Sequence, residues 1–267
     1  MGMDLDKNLT TIKRFITGKL NQSGLNGYVI GLSGGIDSAV SCALAVEAVG
    51  ADKVLGLMMP YKKSSESSVE DAKRLIQFLG IESRLIDISP MIDSYFKEIS
   101  EELKIRAGNK MARERMSILF DIAQETTRMV LGTGNRTEIC LGYTTWYGDS
   151  ACSINPIGQL YKIEIRAAAK ALNIPQEIID KAPSADLWEG QTDENELGVG
   201  YKEIDAILNL IVENEISSFS KLKEKGYSQT DISRVLSRLN HYSYKRNSAE
   251  IAPLGKKDIP DHIRVQE

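Results

Sequence analysis

The run Gly31-Leu32-Ser33-Gly34-Gly35-Ile36-Asp37-Ser38 sets two adjacent glycines, two hydroxyls and a carboxylate between a short apolar run and a helical pattern of small residues. Glycines there let the backbone come close to a ligand and turn successive N–H groups toward it, and the start of the following helix adds partial positive charge. A phosphate-like anion fits that place. The same residues also read as an ordinary strand-to-helix turn capped by Ser33 or Asp37. The loop is not of the lysine-bearing phosphate-binding kind, because Ile36-Asp37 stands where that pattern needs Gly-Lys. Asp37 would repel a phosphate unless a divalent cation lay between them, so it points to a polyphosphate bridged by Mg2+ with Asp37 as a metal ligand.

The elements around this loop are set by periodicity. Leu5, Leu9, Ile12, Ile16 and Leu20 recur at three- and four-residue steps and predict a first amphipathic helix ending near Ser23-Gly24. Tyr28–Leu32, Lys53–Met59, Arg84–Ile88 and Met129–Gly132 read as strands, separated by helical patterns over Asp37–Val49, Ser64–Leu79 and Lys110–Arg128. Strands alternating with helices predict an α/β doubly wound parallel sheet with helices on both faces. Beyond Pro156 the pattern is helical, near Tyr161–Leu172, Tyr201–Val212, Ser217–Lys225 and Gln229–Asn240. Ser184–Gly198 reads as a long polar loop without periodicity, a length that usually marks a functional segment. Residues 1–245 are expected to form one domain and residues 246–267 an extended tail.

Composition narrows the function classes. The chain has 267 residues, 42% hydrophobic and 26% charged, as expected for a globular protein with a sizeable core. Thirty-three Lys and Arg against 37 Asp and Glu give a net charge of −4, so general basicity does not hold it to nucleic acid. His241 and His262 lie far from Cys42, Cys140 and Cys152, which argues against a His- or Cys-rich zinc site. The cysteines lack paired spacing and read as reduced core thiols. The acidic N-terminus has no signal-peptide pattern, and no apolar run approaches the roughly 18 residues a membrane span needs, so a cytoplasmic location is expected.

The Ser-Gly-Gly-Ile-Asp-Ser sequence at residues 33–38 resembles the pyrophosphate-binding loop of N-type ATP pyrophosphatases. Four further segments narrow the likeness: Leu131-Gly132-Thr133-Gly134-Asn135-Arg136-Thr137-Glu138, Leu141 to Asp149, Asn155 to Lys162, and Pro183-Ser184-Ala185-Asp186-Leu187-Trp188. In order along the chain, they resemble the ammonia-dependent NAD+ synthetases. The resemblance implies an adenine nucleotide alpha hydrolase-like fold, a homodimer, and amidation of deamido-NAD+ by ammonia with ATP and Mg2+ through an adenylylated intermediate, releasing AMP and pyrophosphate. It implies that Gly31, Leu32, Ser33, Gly34, Gly35, Ile36, Asp37, Ser38, Thr133, Lys162 and Ser184 bind ATP, and that Asp37 and Glu138 hold the metal. Arg113, Trp146, Ser153, Tyr244 and Lys245 would meet the dinucleotide, and Asp37, Lys162 and Asp149 would serve the chemistry. Asp149 is the candidate acceptor of the ammonium proton. Taken singly, Glu138 and Lys162 read as solvated surface charges.

Three substrate-side positions depart from the family pattern: Trp146 where lysine is usual, Ser153 where aspartate is usual, and Tyr244 where histidine is usual. ATP chemistry is therefore better supported than the identity of the acid. A tryptophan can stack on a ring and a serine can bond a ribose hydroxyl, which keeps deamido-NAD+ in view. Trp146 and Tyr244 packing at a dimer seam is the alternative. Two rival functions stay open, a related ATP pyrophosphatase amidating a different carboxylate and a non-catalytic nucleotide-binding module. No cysteine-centred amidase signature is present, so free ammonia is the expected nitrogen source, unless a separate glutaminase supplies it.

Overall fold

A computed structural model describes residues 4–184, 191–216, 218–247 and 249. Its elements in chain order are α1 (Leu5–Ser23), β1 (Tyr28–Gly31), α2 (Ile36–Val49), β2 (Val54–Met58), α3 (Glu66–Leu79), β3 (Glu82–Leu85), α4 (Ser89–Tyr95), α5 (Lys104–Thr126) and β4 (Met129–Val130). There follow α6 (Arg136–Leu141), α7 (Lys162–Ala171), α8 (Gln176–Asp180), α9 (Asp193–Leu197), α10 (Tyr201–Leu208), α11 (Phe219–Glu224) and α12 (Gln229–His241).

The strands form one parallel sheet in the order β3-β2-β1-β4. Side chains alternate across a strand, so Tyr28 and Ile30 of β1 face α1, α2 and α7, whereas Val29 faces α4 and α5. Both faces are buried, which is why β1 and β2 read as unbroken apolar runs. A third apolar cluster joins α6, α10, α11 and α12 through Leu141, Ile204, Ile207, Leu208, Leu222, Ile232 and Val235. The doubly wound architecture and the helical C-terminal part agree with the sequence reading.

Several boundaries differ, each for a local reason. The third strand begins at Glu82 rather than Arg84, because an edge strand tolerates polar residues and carries little hydrophobic signal. Its pairing runs on past Leu85 by single bonds, Ile86 N to Met58 O at 2.8 Å and Ile88 N to Pro60 O at 3.0 Å. α5 starts at Lys104, not Lys110, its early turns buried through Ala107 and Gly108. The helix expected to reach Val212 changes to a π turn over Asn209–Glu213. Of the expected loop 184–198, residues 185–190 lie outside the described residues, and the rest holds the short α9: Thr192 precedes it, Gly198 closes it in the left-handed conformation, and Asp193 and Leu197 are buried. α4, α6 and α8 are likewise too short for periodicity to reveal. Most of residues 246–267 fall outside the described residues, but Arg246 closes a 3-10 turn and donates to the carbonyls of Cys140 and Leu239, both at 2.9 Å.

Where the chain leaves β1, Leu32 N still bonds Leu57 O at 2.8 Å, and Gly34 then turns with φ +75°. A Cβ on Gly34 would lie 2.1 Å from the Ser68 carbonyl oxygen, so α3 packs against bare backbone there. Gly24, at the end of α1, has a similar φ of +68° but open space around it. A left-handed alanine costs about 1–2 kcal/mol. Gly24→Ala should lose about that much in denaturant unfolding, and Gly34→Ala clearly more because the overlap adds to it. Equal losses would show that the contact with α3 does not constrain the turn.

Candidate active site

The chain runs from β1 to β2 on one side and returns to β4 on the other, so the sheet order reverses between β1 and β4. Open α/β sheets bind ligands beyond the carboxyl ends of strands at such a crevice. Here a cavity of about 630 Å3 opens there, lined by the 31–38 turn, Thr133, Glu138, Lys162, Lys181, Ser184 and, farther along, Asn109, Arg115, Thr145, Asp149, Arg238 and Lys245. The turn is held by Ser33 and Ser38: Gly35 N donates to Ser33 Oγ at 3.2 Å and Ser38 Oγ to Gly35 O at 2.9 Å. Its two glycines feed the N-terminus of the 14-residue α2, where Asp37 occupies the first turn.

At the bottom of the cavity three charges meet. Lys162 Nζ donates to Asp37 Oδ2 at 2.5 Å and to Glu138 Oε1 at 3.4 Å. The lysine residue is 2% exposed, so the surface-charge reading of Lys162 and Glu138 is corrected: both belong to an internal ion cluster. Burial would lower the Lys162 pKa, but the two carboxylates outweigh it and hold the ammonium above the usual lysine range. Burial and the nearby Asp37 raise the Glu138 pKa against the pull of Lys162. Fully buried Asn135 aligns the pair, its Nδ2 donating to Asp37 Oδ1 at 2.8 Å while its Oδ1 caps α6 at Glu138 N, 2.9 Å. Asn135 N donates in return to Glu138 Oε2 at 3.1 Å, completing a capping box.

Beyond the ion cluster lies a shell of buried acids and tyrosines. Lys162 Nζ sits 5.0 Å from the centre of the Tyr201 ring, and Tyr201 donates to Asp193 Oδ2 at 2.8 Å. Asp193 N bonds Pro183 O at 3.1 Å, which joins the two ends of the segment that begins with Ser184. Asp205, 1% exposed, accepts from Thr137 Oγ1 at 2.5 Å and Ile163 N at 2.9 Å. Among the described residues, no three His, Cys, Asp or Glu side chains gather into a metal-binding group. The hard-oxygen pair Asp37 and Glu138, open to the cavity, suits Mg2+, which takes few protein carboxylates and fills its shell from phosphates and water.

The substrate-side residues divide. Asp149 and Lys245 line the cavity; Arg113, Trp146, Ser153 and Tyr244 do not. Asp149 Oδ1 accepts from Thr145 N at 2.8 Å, and its carboxyl, accessible from the cavity but ringed by protein atoms, has its pKa raised by that packing. Lys245 Nζ donates to Gly142 O at 2.9 Å and Thr144 O at 2.7 Å, and so fixes the 142–144 segment. Ser153 Oγ accepts from Val130 N at 3.1 Å, extending β4. Arg113 Nε donates to Trp146 O at 3.1 Å, and Trp146 stacks on Tyr147 at 4.6 Å and meets Tyr244 edge-on at 5.3 Å. These form an aromatic group outside the cavity wall.

Sequence reasoning missed Asn135, Asp193, Tyr201 and Asp205. The Asn-x-x-Glu spacing of residues 135–138 is a helix-start signature that would have singled out Asn135. Asp193 falls in the 184–198 stretch that the sequence reads as a polar loop, where nothing sets it apart from Glu194 and Glu196; residues 185–190 lie outside the described residues. Asp205 is one acid among Ile204, Ile207 and Leu208, and nothing in its spacing marks it. Burial raises its pKa to about 6. An unfolded aspartate titrates near about 3.9, so the native state binds this proton more tightly, and the buried charge removes stability as pH rises through 6. About two units correspond to roughly 3 kcal/mol. The stability of wild type relative to Asp205→Asn should therefore fall by up to about that amount from pH 4 to pH 7.5 in denaturant unfolding, and a pH-independent difference would refute it.

Residues 8–249 match the family model for NAD synthase. An NH3-dependent NAD+ synthetase of Fusobacterium nucleatum is 45% identical over 254 residues, 94% of this chain and 98% of the relative. Among solved structures, an NMN synthetase from Francisella tularensis superposes with a TM-score of 0.81 and an NH3-dependent NAD synthetase from Campylobacter jejuni with 0.79; each is 34% identical over 94% of this chain and 99% of the other. The neighbours share the adenine nucleotide alpha hydrolase-like fold. A parallel sheet with its charged centre at the strand-order reversal, and relatives matched over nearly their whole length, make this chain a member of the NAD synthase family of C–N bond-forming ligases.

Proposed function

We propose that the protein amidates the nicotinate carboxylate of deamido-NAD+ with free ammonia, using ATP and Mg2+, to give NAD+, AMP and pyrophosphate. The observation that carries this reading is the Lys162 ammonium seated between Asp37 and Glu138 beside a glycine turn at the mouth of the sheet. Asp37 and Glu138 would hold Mg2+, which neutralises phosphate charge when bound. The 31–38 turn and the α2 N-terminus would cradle the pyrophosphate end of ATP, with Thr133 and Ser184 among the other residues that line the cavity.

In the first step a carboxylate oxygen of the substrate attacks the α-phosphorus and the bond to the bridging oxygen of pyrophosphate breaks. Negative charge gathers on that oxygen, and Lys162 is placed to neutralise it. In the second step ammonia attacks the acyl carbon of the adenylylated intermediate and AMP leaves with the bonding pair. The attacking nitrogen must shed a proton, and Asp149, whose raised pKa suits a proton acceptor, faces the cavity to take it. No protein atom becomes covalently attached, so positioning and fixed charge supply the rate. The reading includes a cytoplasmic homodimer, with α5 at the interface: Ile105 and Phe120 on that helix are 70% and 44% exposed. Arg113, Trp146, Ser153 and Tyr244 then act at the dinucleotide side. No described helix is long and apolar enough to cross a membrane.

A second reading, the same reaction on the mononucleotide acid, is favoured by the likeness to an NMN synthetase and by the departures at Trp146, Ser153 and Tyr244. Purified protein with ATP, Mg2+ and ammonium is expected to release pyrophosphate with deamido-NAD+ at a higher kcat/KM than with the mononucleotide acid, and to use glutamine poorly. The reverse preference would establish the second reading, and no turnover with either acid would refute both. Asp37→Ala should lower pyrophosphate release by at least about 100-fold, whereas Asp149→Asn should chiefly raise the ammonium concentration needed for half-maximal rate. Wild-type behaviour of either variant would remove that residue from its role.

A further inference from the structure

A mechanism that depends on Lys162 and Glu138 needs their spacing held, yet they belong to separate helices. Glu138 lies in the first turn of α6, and Lys162 is the first residue of α7. First-turn N–H groups have no partner within their own helix. Lys162 N finds one in Thr137 Oγ1 at 3.0 Å, and Ile163 N finds one in Asp205 Oδ2 at 2.9 Å. The Thr137 hydroxyl in turn donates to Asp205 Oδ1 at 2.5 Å. These bonds close a ring that runs from Asp205 through Ile163 and Lys162 to Thr137 and back. Thr137 precedes Glu138, and Ile163 follows Lys162, so the ring binds the immediate neighbours of both charged residues. The third element is α10: Tyr201, one helical turn before Asp205, is the residue whose ring lies under the Lys162 ammonium.

We propose that Asp205 is a positioning residue for the ligase reaction, fixing Lys162 against Glu138 through Thr137 and Ile163 without touching substrate. This rests on the reading that Lys162 neutralises charge on the leaving pyrophosphate. The ring requires an acceptor on each side-chain oxygen, which a carboxylate supplies and an amide does not. Both direct donors are neutral, so the group is held as a buried acceptor rather than as half of a salt bridge. Misplacing a reacting group by about 1 Å can cost about 100-fold in rate, which sets the scale for cutting the ring.

The test compares wild type with Asp205→Asn, Thr137→Val, Thr137→Ser and the Asp205→Asn/Thr137→Val double variant, all well below their melting temperatures. Severing the ring should lower kcat for pyrophosphate release about ten-fold or more and weaken ATP binding by calorimetry about ten-fold, leaving KM for deamido-NAD+ within about two-fold. Thr137→Ser keeps the hydroxyl and should restore both quantities to within about three-fold of wild type. The double variant should be no worse than the poorer single one, because both changes cut one link. A merely structural role would lower the melting temperature and leave kcat and ATP affinity of the folded protein unchanged, and that result overturns the proposal. Should Asp205→Asn fail to fold, Thr137→Val against Thr137→Ser decides, and wild-type ATP affinity in folded Thr137→Val overturns the link whatever the turnover. An inactive wild type would instead refute the proposed reaction.

Discussion

A buried ammonium shared by two carboxylates is the constraint around which the rest of this fold is arranged. Asp37, Glu138 and Lys162 come from positions 125 residues apart at the extremes and meet where no one of them would be stable alone. Removing one partner of such a cluster strands a buried charge, which commonly costs several kcal/mol. The cluster is therefore an obligation on the surrounding elements as much as a contribution to stability. The cluster opens to the cavity, and in the proposed reaction Mg2+ and the phosphates of ATP would meet it there.

Each surrounding element can be read as an answer to that obligation. The sheet brings the ends of β1 and β4 side by side, which delivers Asp37 and the 132–138 segment to one edge. Ser41 of α2 donates to Gly132 O at 2.7 Å and ties those two loops together. Asn135 fixes the two carboxylates from one side, and the Thr137–Asp205 pair fixes the lysine backbone from the other. Lys181, through Ser68 at 3.1 Å and Asp71 at 2.8 Å, fastens the segment before Ser184 to α3 beside the glycine turn. The C-terminal helices thus cover the active edge of the sheet rather than forming an appendage.

The glycine turn, Asp37 and the alternation of strands and helices were legible in the sequence because each leaves a local or periodic signature, whereas Thr133, Glu138 and Lys162 stood out only through the family resemblance of the ordered segments that hold them. What escaped lacks one. Asp205 and Asp193 are ordinary helix acids until tertiary packing buries them, and Tyr201 becomes a platform for the ammonium only once α10 lies against α7. α9 is too brief for a 3.6-residue period to emerge, and β3 is polar because it is an edge. The hydroxyl of Ser153 and the ammonium of Lys245 bond the protein's own backbone, a use that residue type alone does not reveal.

The central claim, that the Lys162 ammonium is the cation meeting the leaving phosphates, is tested most directly by single-turnover pyrophosphate release from Lys162→Met with ATP, Mg2+ and deamido-NAD+ at saturation. A rate at least about 100-fold below wild type is expected, with the circular dichroism of the folded chain preserved. A folded Lys162→Met protein that releases pyrophosphate at the wild-type rate would contradict it.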